Sequence, residues 1–323
     1  MKPTRFSLCG LSIALLASAV LLPKAHAITI THGGDSVDIE FVDIGNGGNA
    51  GHTYTDFYGN TVTHGSVAYN YSIGKFEVTS DQWATVTGFD NLIENNSNDS
   101  WSDQWSGSQP TARASWYEAA KFANWLTSGD ALQGAYQFSD ATTFTGVDRN
   151  TALSTYGTVY VLPTEDEWHK AAFFKSDGSG YTVYATGDTA PDGIDFDGDT
   201  TYDSVYRDGY TLYTPYSVGG GTVENNGTYD MAGNVWEWNE SAFDGDLNDP
   251  GESRVIRGGG MSSHAVFTQW IGRDFEAPDS ELFLDLGFRV AAIDIVDIGA
   301  VPEPSSVGLL AIGAMGCVLR RKR

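Results

Sequence analysis

From Ile28 to Phe76 apolar and polar residues alternate, with Gly and Asn between the runs, as in Val37-Asp38-Ile39-Glu40-Phe41-Val42 and Val67-Ala68-Tyr69-Asn70-Tyr71-Ser72-Ile73. A period of two sets every second side chain on one face, so the segment predicts strands and hairpins. The pattern then changes. Three Ser or Thr residues each stand three positions before an acid or amide, in Thr79-Ser80-Asp81-Gln82, Ser115-Trp116-Tyr117-Glu118 and Thr164-Glu165-Asp166-Glu167. In such a box the hydroxyl accepts from the third helical amide and the third side chain returns a bond to the cap amide, so each predicts a helix start. After the second start, Trp116, Ala119, Ala120, Ala123 and Leu126 recur at helical spacing and predict one apolar stripe facing a core. The third places Trp168, Ala171 and Ala172 alike and is short. Beyond residue 176 Gly, Asp, Asn and Tyr dominate with few regular runs, which predicts mostly ordered loop. Loops of that length inside a compact domain usually carry function or need a clamp. No period repeats, so the chain reads as one domain at 28–292, with a β-rich lead-in at 28–70 and a linker at 293–304.

The two ends differ in kind from the middle. Lys2 and Arg5 precede an apolar run from Leu8 to Leu22 and then Ala25-His26-Ala27, the three regions of a secretory signal with cleavage expected after Ala27. At the other end Pro302-Glu303-Pro304 precedes an apolar stretch from Val307 to Leu319 and the basic cluster Arg320 to Arg323. That stretch of 13 residues is shorter than the roughly 17–25 of a stable spanning helix, which suits a temporary hold. The order of short motif, membrane segment and positive charge resembles the PEP-CTERM sorting signal. The resemblance implies an exosortase-type protease that removes the segment at 305–323 during export. The chain would cross the inner membrane of a Gram-negative-type bacterium, be held there transiently, and end at the cell surface or in the extracellular matrix. A simple C-terminal anchor is the alternative.

Charge and cysteine usage narrow the chemistry. Against 18 Lys and Arg stand 42 Asp and Glu, a net charge of −24, which excludes a nucleic-acid binder dependent on a basic patch. Removing both end segments takes away seven basic residues and no acid, leaving −31 on 28–304. Cys9 and Cys317 both lie in those segments, so the mature chain has no thiol and no cysteine-based metal or nucleophile chemistry. The histidines show no metal-binding spacing along the chain. Acidic loops invite calcium. Asp195-Phe196-Asp197-Gly198-Asp199 starts like an EF-hand loop, but Thr200 and Tyr206 stand where Gly and Glu are required. A calcium site of another shape and a solvated acidic loop both remain open there.

The most specific stretch is Asn226-Gly227-Thr228-Tyr229-Asp230-Met231-Ala232-Gly233-Asn234-Val235-Trp236-Glu237-Trp238. It is accompanied by Pro163 to Trp168, Arg257-Gly258-Gly259, Gly287-Phe288-Arg289-Val290-Ala291, Tyr71 to Thr79 and Ala114 to Ala120. Together these resemble the formylglycine-generating enzyme, or sulfatase-modifying factor, family. The resemblance implies an α+β, C-type lectin-like fold, rich in loop, with a few short helices, small antiparallel sheets and bound calcium. It places calcium ligands on Asp230 and Glu237 through carboxylates and on Gly233 and Val235 through carbonyls. It also implies a second, loosely aligned calcium site, for which Asp188 is the candidate ligand.

Catalysis is where the chain departs from these relatives. The formylglycine-forming members hold copper on two cysteines, six and eleven residues after the Arg of Arg-Gly-Gly, and those positions here are Ser263 and Thr268. Hydroxyls do not replace thiolates for Cu(I), so neither copper nor cysteine-dependent oxidation is expected. The same loops would form a cleft holding Trp236, Arg257, Met261, His264, Trp270, Arg273 and Arg289, with both Arg257 and Arg289 also able to serve as structural ties. Three functions follow: a matrix binding or structural protein for a polysaccharide or surface protein, a non-cysteine oxidoreductase using iron or another metal, and an accessory subunit.

Overall fold

The alternating lead-in folds as two long strands, β1 (Ala25–His32) and β2 (Asp35–Ile44), which pair antiparallel along their whole length from Ala25↔Val42 to His32↔Asp35. Gly33 and Gly34 make the two-residue turn, both at positive φ, which glycine adopts without steric cost. Val37, Ile39 and Phe41 point into the core while Asp38 and Glu40 face water. The computed structural model describes residues 24–93, 105–193, 202–207, 214–244, 246–281 and 285–297. The signal segment before Lys24, the Asp195 to Asp199 run, the Pro302-Glu303-Pro304 motif and the apolar stretch after it lie outside the described residues. Strand β1 begins two residues before Ala27, so Ala25 and His26 pair with Val42 and Phe41.

A short hairpin follows, β3 (His52–Thr55) with β4 (Thr61–His64). Then β5 (Tyr71–Gly74) joins β2. The three capping boxes are all formed, at the starts of α1 (Ser80–Phe89), α2 (Trp116–Ser128) and α4 (Glu165–Phe173). Between α2 and α4 lie the hairpin β6 (Tyr136–Phe138) and β7 (Phe144–Val147), the helix α3 (Arg149–Tyr156) and strand β8 (Thr158–Val161). The C-terminal third adds β9 (Trp236–Ala242), β10 (Arg254–Arg257), β11 (Arg273–Glu276), β12 (Leu286–Gly287) and β13 (Ala291–Asp294). Two larger sheets result, β1-β2-β5-β13-β8 and β11-β10-β9-β12, the latter with β12 parallel to β9.

Three features differ from the sequence reading. Helix α2 buries far more than one stripe: Glu118, Lys121 and Asn124 are inside as well. They are tolerated because each has a partner, with Lys121 Nζ donating to the Leu92 carbonyl at 3.0 Å and Asn124 bonding Ala131 and Tyr136. Helix α3 has no apolar stripe in the sequence; Asp148 caps it by accepting from the Thr151 amide at 2.9 Å. The third is the sheet centred on β9. Both β9 and β10 are buried on either face at their centres, which removes the alternation that marks a half-exposed strand.

The stretch from 176 to 235 has no helix or strand among its described residues and is clamped by side chains. Asn226 Nδ2 donates to the carbonyls of Ala171 and Phe174 at 2.9 and 2.6 Å, tying the loop to the end of α4. Buried Glu224 accepts from the Thr228 hydroxyl and the Met231 and Ala232 amides.

Candidate functional site

The loop ahead of β9 turns tightly: Asp230, Gly233 and Asn234 all take positive φ. A Cβ on Gly233 would stand 2.3 Å from the Val205 carbonyl, so only glycine fits there. Asn234 Nδ2 donates to Glu77 at 2.6 Å and the Val235 amide to the same carboxylate at 3.1 Å, fixing the strand's entry. Glu237 then points inward from β9. Its carboxylate meets Arg289 bidentately, at 2.7 Å from Nε and 2.6 Å from Nη2, and also accepts from Trp168 Nε1 at 2.8 Å. The remaining Arg289 donors reach the Gly74 and Tyr229 carbonyls.

Around this one guanidinium lie four buried carboxylates, Glu77, Glu224, Asp230 and Glu237. Burial raises Glu224 to about 8 and Asp230 to about 6, and raises Glu77 well above the usual range, with Asp230 and Glu237 adding to the push. Burial opposes the charge on Arg289, but Glu237 outweighs it and holds the guanidinium protonated. Carboxyls raised in this way hold their protons toward neutral pH, and a hard divalent cation would favour their charged forms by displacing those protons.

Two of these carboxylates keep acceptor capacity that a calcium ion could use. One Asp230 oxygen accepts from the Gly219 amide at 2.6 Å. Glu237 Oε2 takes two donors and Oε1 only Arg289 Nη2, so Oε1 keeps a lone pair. Among the described residues no three His, Asp or Glu side chains converge as a ready metal cage. The Gly233 and Val235 carbonyls would therefore have to supply part of the coordination. Asp188 is exposed and engaged by Lys175 at 3.3 Å and the Val183 amide at 3.3 Å.

The loop after β10 carries the positions of the family's cysteines. Ser263 Oγ accepts from the Gly260 amide at 3.0 Å, and Thr268, buried, donates to the Ala265 carbonyl at 2.9 Å. Both hydroxyls hold the loop together. The expected cleft is corrected here, because most of its residues are inside the protein. Arg257 spends its donors on Glu165, Tyr54 and the Trp270 and Gly272 carbonyls. Arg273 bonds Glu165 at 2.8 Å and the Phe243 carbonyl at 2.7 Å. Arg289, Met261 and Trp236 are buried too, and only His264 and Trp270 keep appreciable surface. A surface pocket between the 46–51 and 174–181 loops is lined by Asn46, Asn49 and Tyr181 and by none of these residues.

Beneath the loop lies a group the linear spacing could not reveal. His52 from β3, His64 from β4 and His169 from α4 converge, with His52 Nδ1 3.4 Å from His169 Nε2 and His64 Nδ1 3.5 Å from Asp166. Tyr54 stacks on His169 at 5.4 Å and Trp270 meets His52 edge-on at 4.2 Å. Burial, then the charge of Arg257, depress His169 well below its ordinary value, and burial lowers His52. Burial works against Glu165, but Arg257, His64 and Arg273 outweigh it and keep the carboxylate below its usual range.

Comparison with known proteins places this architecture. Residues 26–293 match the profile of the sulfatase-modifying factor enzyme 1-like domain, and residues 300–323 that of the PEP-CTERM protein-sorting motif. No curated protein matches. Among solved structures, Treponema denticola variable protein 1 is 22% identical with TM-score 0.54, covering 83% of this chain and 99% of that one. CarF is 21% identical with TM-score 0.54 over 78% and 97%. PvdO from Pseudomonas aeruginosa is 18% identical with TM-score 0.53 over 83% and 97%. At these identities the neighbours establish the fold, a loop-rich α+β scaffold like that of formylglycine-generating enzymes, and leave activity to the site. With its profile running from the first strand to the last and a sorting motif behind it, the chain belongs to the sulfatase-modifying factor enzyme 1-like family.

Proposed function

We propose that this is an exported protein, sorted by an exosortase-type protease to the cell surface or extracellular matrix, whose calcium-stabilised domain binds a matrix component. The observation that carries this reading is the pair Ser263 and Thr268. Each hydroxyl is committed to a bond within its own loop, and the chain between its processed ends contains no thiol. Copper chemistry of the formylglycine-forming kind has no ligands here. Calcium supports the scaffold through Asp230, Glu237 and the adjoining carbonyls, where its charge would offset the buried acids.

A second reading, an oxidoreductase using iron or another metal, draws on the convergence of His52, His64 and His169. Arg257 weighs against it, since a guanidinium that already depresses His169 repels a cation on the same ring. Elemental analysis of the purified protein, before and after incubation with copper and iron and exhaustive dialysis, separates the two. Calcium alone is the expected outcome. Stoichiometric iron or copper would overturn the binding reading in favour of the oxidoreductase.

A further inference from the structure

Of the side chains at the surface, three large rings gather in one place. Phe57 and Tyr58 sit in the turn of the β3–β4 hairpin and Phe275 on the edge strand β11, at 54%, 48% and 42% exposure. Phe243 completes the row: Tyr58 packs against it edge-on at 5.9 Å and Phe275 at 4.4 Å, while Phe57 meets Tyr58 at 6.2 Å. The row is held rigid from below. Arg273, anchored on Glu165, stands 4.0 Å from the Phe243 ring centre, and the Tyr58 hydroxyl donates to Asp274 at 2.9 Å, tying the hairpin to the edge strand.

We propose that this aromatic row is a docking platform for a neutral polysaccharide. The assignment rests on the binding reading above and names its surface and ligand class. Charge selects the ligand. A mature chain at −31 repels polyanions, and the cation that touches the row, Arg273, is buried beneath Phe243 and bonded to Glu165. A wholly apolar partner would have to desolvate Asp274, whose carboxylate lies in the row and already accepts from Tyr58. A neutral sugar chain meets both halves, laying its C–H faces on the rings and offering hydroxyl donors to Asp274. Pre-formed rings on a tethered hairpin also lose little side-chain entropy on binding.

The test is biolayer interferometry of the purified protein on immobilised neutral glucan, galactomannan and xylan, with alginate and polylysine as charged probes. Binding to at least one neutral polymer is expected, with Phe275→Ala and Phe57→Ala each lowering affinity roughly ten-fold or more, as truncated aromatic anchors do. Tyr58→Phe, which keeps the ring and drops the hydroxyl, is expected to lose less. Tyr156→Ala, an exposed ring on α3, should leave binding unchanged, and circular dichroism of each variant at the binding temperature establishes that it is folded. Neutral-polymer binding that survives both ring truncations overturns the platform and leaves binding to another surface. Binding confined to alginate or polylysine overturns the ligand class. No binding to any polymer overturns the platform and its ligand class, while the binding reading is decided separately by the elemental analysis. Self-association abolished by Phe275→Ala would assign the row to a second copy of the chain and overturn the polysaccharide.

Discussion

The pair Glu237 and Arg289 shows how one residue's neighbours decide what it can do. Both are fully buried, and each satisfies the other's charge in a medium where an unpaired ion is expensive. Truncating the cation leaves four carboxylates around an empty position, so Arg289→Ala is expected to cost about 3–5 kcal/mol. Trp168→Phe removes a single donor from Glu237 and is expected to cost about 1–3 kcal/mol. Urea unfolding of the two variants checks the ranking, and an Arg289→Ala protein as stable as wild type would show that the pair does not organise the centre. Sequence motifs nominate both residues, Glu237 for calcium and Arg289 for a cleft or a structural tie. Their contact joins positions 52 residues apart across β9 and the segment before β13, and no local period records such a pairing.

Among the elements, the β3–β4 hairpin has the most to lose from acid. Its base rests on His169, with His52 and His64 from the hairpin, Tyr54 stacked on the ring, Glu165, Asp166 and Arg257 from the packed elements, and Trp270 above. His52 and His169 have depressed values in the fold and an ordinary value of 6.5 when unfolded. The unfolded chain therefore binds the extra protons, and this contribution is complete above pH 6.5 and shrinks as pH falls below it. The limiting slope is about 1.4 kcal/mol per pH unit for the fully buried His169 and smaller for the half-buried His52, whose charge water screens. Glu224 and Asp230, raised to about 8 and about 6, act in the opposite sense, gaining stability as pH falls. The difference between wild type and His169→Gln isolates the histidine. Melting curves between pH 7.5 and 5.0 should show wild type losing more stability than the variant, and parallel curves would remove His169 from the linkage. The alternation of the hairpin and the three capping boxes is local and was therefore legible in the sequence. Strands β9 and β10 were not, because burial on both faces erases their period. The meeting of three histidines was not either, since β3, β4 and α4 come together only in the tertiary fold.

At the scale of the whole molecule the family and its fold are legible because six motif blocks keep their order along the chain, while the charge balance of the interior emerges only once the chain is folded. The motif loop places Asp230 and Glu237 in one buried region with Glu77 and Glu224, and a single guanidinium answers them. Residues 28–304 carry a net −31, so the chain between its two end segments has no net positive charge with which to offset these acids. Bound calcium at micromolar affinity and millimolar concentration would add about 4 kcal/mol by mass action. For a domain of this size that corresponds to a rise in melting temperature of roughly 8–16 °C. Chelation with EGTA is therefore expected to lower the melting temperature by that order, and magnesium, which demands a tighter octahedral shell, should not restore it. Asp230→Asn removes a ligand charge while relieving like-charge repulsion, so it should raise the melting temperature of the chelated protein and shrink the calcium response. Added sodium chloride separates the bound ion from general screening, because it moderates repulsion between exposed acids but reaches buried ones far less. A melting temperature indifferent to EGTA would refute the calcium site, and recovery by sodium chloride alone would assign the effect to the polyanionic surface.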